Sequence, residues 1–395
     1  MDRSPREHGK EQTSGEIAMA KNVFLASASP RRRELLKPFF PDIETCLPSA
    51  EEVRPSGVVS IEEAKKLAVE NSRAKAESVI GDIVISGDTF VLLDGRYLGK
   101  PADSESAKAM LLSLSGRAHD VVTGVTVASS SSVVSDAVHT RVWFSSISSR
   151  DIDDYIATGE YRDKAGGYGI QGRGGEFVER IQGSWSNVVG LPMGALEKLL
   201  QGFGLEIDAS SGPVVVVTGM PGAGKEEFVR VARDDLFAVV RMGDVVREFA
   251  FSAGMTMGDK SIGGFASSQR KEHGDDVWAL RTLERISDMD AYKIVIDGTR
   301  SRHEIEVFRR ALRDRMCLVA IDASPETRYE RLVSRGRSDA PSSFEGFLER
   351  ENRETNWGIK RALEMADFTL ENEGSLEGFR GATISLLERL KSLYR

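Results

Sequence analysis

The sequence predicts an α/β protein built on two unlike sheets, and three observations carry that prediction. Apolar, β-branched runs alternate with stretches of helical spacing along most of the chain. In the first half, hairpin signals interrupt the alternation, which predicts a mixed sheet. In the second half strand and helix follow one another regularly, which predicts a parallel, doubly wound sheet. Between them lies a polar Ser/Gly/Pro segment, 208–213 (DASSGP), read as a junction near residue 211. The 395 residues, 40% hydrophobic, suit two domains with a core each. We expect these at 21–210 and 211–395, after a polar, aperiodic and disordered tail at 1–20. Met19, just ahead of the first apolar strand, is a candidate for the true start of translation.

Taken in order, the first half opens with a strand at Val23–Ala26. Ser29-Pro30 then supplies an N-cap and first-turn pair for a helix through Lys37. Residues 61–79 have helical spacing and 83–86 return to a strand. Asp94-Gly95 between 90–93 and 97–98 signals a hairpin. Residues 104–114 are helical. The β-rich stretches 121–128 and 137–144 are joined by a serine loop, 129–132, and Asp151–Asp154 reads as a capped helix start. The second half is expected as strand 214–218, helix from Lys225, strand 237–241, helices 243–254 and 275–288, strand 293–297, helix 301–313, strand 316–322 and helix 324–335.

Acidic residues outnumber basic ones, 61 against 53, so a dedicated nucleic-acid-binding domain is not expected. Two cysteines exclude a disulfide framework and suit a reducing compartment. No apolar run approaches the roughly 18 residues of a membrane span. Nor does the N-terminus read as a secretory signal, so a cytoplasmic location is expected. His119 and His139 sit in β-rich stretches and read as structural. The scattered Trp143, Trp185, Trp278 and Trp357 read as packing residues.

The second half carries Gly219-Met220-Pro221-Gly222-Ala223-Gly224-Lys225, which fits GxxxxGK between a Val-rich strand and a helix. Its glycines let backbone N–H groups turn towards phosphate oxygens, and Lys225 reaches the terminal phosphates. Glu226 stands where Ser or Thr usually contacts magnesium. Its carboxylate either coordinates through water or weakens metal binding. Farther on come Asp244 and Arg247 in MGDVVR, then Asp297 and Arg300 in IVIDGTR. Arg331, Arg335 and Arg337 read as an arginine lid. An aspartate at a strand end can organise magnesium water, and arginines can clamp a phosphoryl group. From about 214 to 370 this half resembles an uncharacterised archaeal family of adenylate-kinase-like P-loop proteins. The resemblance implies ATP binding and leaves open whether phosphate is transferred.

In the first half, residues 25–36 (LASASPRRRELL) bring Ser27, Arg31 and Arg32 to the start of a helix. Arginine there opposes the helix dipole, so a bound anion explains it better than stability does. Asp88 and Thr89 end the strand in ISGDTF, and Lys100 follows the hairpin in YLGKP. Lys164 and Gln171 lie in DKAGGYGIQG, whose amide can both donate to and accept from a base edge. GSWSNVVGLP, at 183–192, closes the block.

In that order these segments resemble the Maf family of nucleoside triphosphate pyrophosphatases, over about 23–200, with a mixed α/β Maf/ITPase-like fold. The resemblance implies Asp88 as proton acceptor and Lys75, Lys100 and Glu52 (of the pair Glu51-Glu52) as further catalytic residues. It associates Arg31, Thr89 and Gln171 with substrate choice. It points to dTTP and UTP, with a modified purine such as 7-methyl-GTP as the alternative. Magnesium or manganese would be held by Asp88 and Glu52, directly or through water. Asp88 cannot be both tight ligand and free base, and the sequence leaves the choice open. The expected ligands are nucleoside triphosphates and ATP, with no nucleic acid and no membrane, and a homodimer stays open.

Overall fold

The computed structural model describes residues 21–255, 259–334, 341, 343–348, 351 and 359–393. The expected tail at 1–20, Met19, Trp357, Arg335 and Arg337 lie outside the described residues.

The first half forms a seven-stranded mixed sheet. Its strands are β1 (Val23–Ala26), β2 (Glu44–Cys46), β3 (Ile83–Leu93), β4 (Arg96–Tyr97), β5 (Ala118–Ala128), β6 (Val133–Phe144) and β7 (Val178–Gln182). The order is β2-β1-β3-β5-β6-β7, with β4 also paired to β3. Strands β1, β2 and β3 run parallel, and the remaining pairs are antiparallel. Around it lie α1 (Pro30–Leu36), α2 (Ile61–Glu77), α3 (Ser104–Leu114), α4 (Ser149–Ala157), α5 (Trp185–Val189) and α6 (Met193–Gln201).

Local chemistry explains the helix starts. Ser60 Oγ accepts from the Glu63 N–H at 3.2 Å while Glu63 accepts from the Ser60 N–H at 2.8 Å, a reciprocal cap that fixes α2. At α1 the expected cap is only half realised. Ser29 holds the capping position and Pro30 the first turn, but the Ser29 side chain caps no helix N–H. Helix α2 lies so close to β5 that a Cβ on Gly124 would stand 2.3 Å from the Ala68 backbone, so only glycine permits this contact.

The second half is a five-stranded, all-parallel sheet in the order β12-β11-β8-β10-β9. Its strands are β8 (Val214–Thr218), β9 (Ala238–Arg241), β10 (Ile294–Asp297), β11 (Met316–Asp322) and β12 (Phe368–Glu371). The helices are α7 (Lys225–Asp234), α8 (Met242–Ser252), α9 (Asp259–His273), α10 (Val277–Ser287), α11 (Arg302–Leu312) and α12 (Pro325–Ser334), then Ile359–Glu364 and Leu376–Leu393. Both expected sheet types are present. Residues 83–86 and 90–93, expected as separate strands, are one long β3.

The halves share a core. One buried apolar cluster runs from Leu25 and Ile85 through Trp185, Leu191 and Met193 to Met289, Ala291, Val214 and Ile294. The Trp185 N–H donates to Met289 O at 2.6 Å. The Asp290 carboxylate accepts from Ser184 Oγ (2.6 Å), Ser186 Oγ (2.9 Å) and the Gly194 N–H (2.9 Å). Among the described residues no helix is long and apolar enough to cross a membrane.

Candidate active sites

Strand β1 ends at Ala26, opposite Ser86, and β4 pairs with β3 only from Leu92. Residues 87–90 of β3 therefore have no strand partner on one side, in the crevice beyond a parallel strand end where ligands bind in open sheets. A cavity of about 140 Å³ opens there, lined among others by Arg31, Arg32, Glu52, Lys75, Asp88 and Lys100.

At its floor Asp88 is buried, 4% exposed. Its Oδ1 accepts from Lys75 Nζ at 2.6 Å and its Oδ2 from Asn71 Nδ2 at 2.7 Å. Lys75 also pairs with Glu52, and Glu52 pairs with Arg54, which comes within 3.9 Å of Asp88. Two carboxylates thus converge on one ammonium. Burial pushes Lys75 down to about 8, opposed by the Asp88 charge. Asn71 also exchanges hydrogen bonds with the Val53 backbone, at 2.8 and 3.0 Å, and so anchors the Glu52 loop. Asn71 and Arg54 were not anticipated from sequence. Asn71 lies one helical turn before Lys75 on α2, a spacing that places both on one face.

Arg32 is placed differently from an open phosphate ligand. It is buried, and its guanidinium donates to Gly190 O (2.7 Å), Ser27 Oγ (3.0 Å) and Thr89 Oγ1 (3.0 Å). Thr89 also shares a 3.0 Å hydrogen bond with Thr123. Ser27, Arg32 and Thr89 therefore form a hydrogen-bonded strut, with Arg32 and Thr89 on the cavity wall. Arg31 stands at the rim, donating to Asp163 O at 3.4 Å, and burial lowers its pKa. Lys100 is exposed on the lining.

Lys164 and Gln171 are not among the lining residues. Lys164 donates to the Glu160 carbonyl. Gln171 is buried with its Nε2 unpartnered among the described residues. His119, as expected, is structural: Nε2 meets the Tyr168 hydroxyl at 2.6 Å, and burial pushes its pKa down to about 3. His139 pairs with Asp120 at 2.8 Å.

In the second half the loop 219–224 turns back between β8 and α7. Gly222 and Gly224 have φ of 84° and 112°, which L side chains rarely adopt. Lys225 Nζ donates to the Gly219 and Met220 carbonyls at 2.6 and 3.2 Å. Glu226 pairs with Arg241 at 2.7 Å, and Arg241 lies 3.8 Å from Asp297. Asp297 is buried with Oδ1 unpartnered among the described residues, and burial raises its pKa. Asp244 pairs with Arg247, and Arg300 follows β10.

Residues 22–203 match the Maf-like protein family, and residues 215–356 match an AAA domain family. A dTTP/UTP pyrophosphatase of Pyrococcus furiosus is 43% identical over 189 residues, 46% of this chain and 95% of the relative. The chain belongs to the Maf family. A second Maf-type relative, the dTTP/UTP pyrophosphatase of Vibrio cholerae, is 44% identical over 182 residues, 46% of this chain and 97% of its own. A different relative, UPF0200 protein TV0279 of Thermoplasma volcanium, is 45% identical over 174 residues, 44% of this chain and 96% of its own. The P-loop half thus stands beside a Maf half in one chain.

Proposed function

We propose that the Maf half hydrolyses a nucleoside triphosphate, dTTP or UTP, to monophosphate and pyrophosphate. The observation that carries this is the convergence of Asp88, Lys75, Glu52, Arg31 and Lys100 on one cavity. The identity to named pyrophosphatases supports the same reading.

Asp88, oriented by Lys75 and Asn71, takes a proton from water as the water oxygen bonds to the α-phosphorus. The bond from that phosphorus to the bridging oxygen breaks, and pyrophosphate leaves with its charge met by Arg31, Lys75 and Lys100. The Arg32 strut holds the β3 edge and the Gly190 turn in register around the reacting atoms. Two carboxylates meeting at one ammonium also fit a divalent cation, magnesium or manganese. Glu52 would hold it directly and Asp88 only through water, which leaves Asp88 free to take the proton, and when bound it would neutralise phosphate charge. Gln171, with an orphaned buried amide, is the residue we assign to base recognition through a shift of its loop.

We further propose that the chain divides near residue 211, with a rear domain that binds ATP through 219–225. A regulatory reading, in which ATP is bound without transfer, draws support from Glu226, whose carboxylate is engaged by Arg241. Pyrophosphate release by the full chain over a panel of common and modified triphosphates tests the front reaction. We expect dTTP and UTP to lead and Asp88→Asn to abolish release. Full activity of a folded Asp88→Asn variant would remove the mechanism. ATP consumption with a monophosphate acceptor, lost in Lys225→Ala, would decide against the regulatory reading.

A further inference from the structure

The loop 47–59, between β2 and α2, forms no helix or strand of its own, yet it carries Glu52 and Arg54 to the wall of the front cavity. Apolar packing does not seat it, since the Val53 side chain is 60% exposed. It is seated by its backbone. Asn71 on α2 donates to Val53 O at 2.8 Å and accepts from the Val53 N–H at 3.0 Å, and Val58 bridges Arg96 of β4. Residue 54 is therefore held at the cavity by the neighbour that Asn71 grips.

Arg54 pairs with Glu52, lies 3.9 Å from Asp88 Oδ2 and has its guanidinium 6.0 Å from the Tyr97 ring centroid. Its side chain is 43% exposed, and ion pairs exposed to that degree contribute little to folding. The partner is what gives the pair meaning. Glu52, the carboxylate assigned above to a divalent cation, takes both Lys75 and Arg54 in the free chain. Three cations on one carboxylate repel one another, so occupancy of Glu52 by a metal ion means that these side chains let go. Lys75 keeps a second partner, Asp88 Oδ1 at 2.6 Å. Arg54 has only Asp88 Oδ2, which Asn71 already holds at 2.7 Å. Arg54 is thus the cation released, and it is released on the wall of an open cavity. Five cationic and three acidic side chains line that cavity, so Arg54 supplies half of its excess positive charge.

We propose that Arg54 is a substrate-contacting residue of the front site, stored on Glu52 while the cavity is empty and passed to the phosphate chain of the incoming triphosphate once Glu52 is taken by a divalent cation. The assignment rests on the proposed function, which supplies the triphosphate and the cation. A guanidinium fork meets two phosphate oxygens at once, which an ammonium does not. The Tyr97 face borders the arc through which the fork can swing. Arg54 therefore competes with the metal ion when substrate is absent and acts with it when substrate is present. Removing the side chain should move the two affinities in opposite directions, which loss of a purely structural contact would not do.

The test is titration calorimetry on the full chain, first with Mn2+ alone, then with the uncleavable α,β-methylene analogue of dTTP in the presence of Mn2+. The Mn2+ event lost in Glu52→Gln marks the front site. At that site Arg54→Met should bind Mn2+ several-fold more tightly than the wild type, because Glu52 has lost a competitor, and should bind the analogue about tenfold more weakly. Arg54→Lys keeps the charge without the fork and should fall between the two for the analogue. In steady state the KM for dTTP should rise about tenfold in Arg54→Met, with a smaller fall in kcat. Unchanged analogue binding in Arg54→Met would overturn the assignment. So would a loss of Mn2+ affinity in Arg54→Met like that in Glu52→Gln, which would make Arg54 a support for Glu52 alone, or a wild type with no Mn2+ event that depends on Glu52. A wild type that binds the analogue through Arg54 yet releases no pyrophosphate from dTTP or UTP would remove the hydrolysis reading and leave the contact standing.

Discussion

Lys75 Nζ lies 2.6 Å from Asp88 Oδ1, and each side chain is 5% exposed. Because burial brings Lys75 down to about 8, the folded chain releases this proton before the unfolded chain does. Below about 8 the buried ammonium costs stability in full. Between about 8 and about 10.4 that cost is relieved, so this residue's contribution to stability rises with pH. Activity should move the other way, since the cation that meets phosphate is lost. A pH profile of kcat/KM should fall above about pH 8, and the limb should be absent in Lys75→Gln.

Arg32 should behave as a structural member. Arg32→Met removes a donor from Gly190 O, Ser27 Oγ and Thr89 Oγ1, of which Ser27 Oγ keeps the Ser29 N–H. Leaving a buried acceptor unpaired costs about 1–3 kcal/mol. Urea denaturation should report that loss, with kcat falling more than KM rises because the β3 edge loses register.

Gly124 sets the distance between α2 and the sheet, and α2 carries both Asn71 and Lys75. Gly124→Ala places a methyl against the Ala68 backbone and should destabilise by about 1–3 kcal/mol. Activity should drop beyond what the lost stability explains, measured well below the melting temperature.

At the P-loop, Glu226→Thr removes the partner of Arg241 and restores the hydroxyl common at this position. ATP affinity measured with magnesium present should rise several-fold, and the same variant without magnesium should show little change.

Several features of the fold were legible because they are local. The GxxxxGK loop, the Asp94-Gly95 hairpin and the regular alternation after residue 213 each announce themselves within a few residues. Strand β2 was missed at three residues, Glu44–Cys46, too short for a period to emerge. Helix α9 was missed because its Gly263-Gly264 pair and polar composition obscure the apolar face. Around Asp88 the motif residues were visible, but Asn71 was not, since nothing in a helical sequence reveals which strand it will meet. The Ser27, Arg32 and Thr89 strut shows the same limit: a buried arginine and a phosphate-binding arginine look identical until their acceptors are known.

The Asp290 carboxylate, received by two serine hydroxyls and a backbone amide of the other half, has a consequence for how far either half can stand alone. The Ser184–Ser186 segment that it grips leads within a few residues to Val188 and Gly190, which wall the front cavity. Cutting the gene at residue 211 would leave those hydroxyls without their acceptor and bare the apolar seam around Trp185 and Met289. Each half on its own would therefore present that apolar seam to water, an exposed patch that favours association.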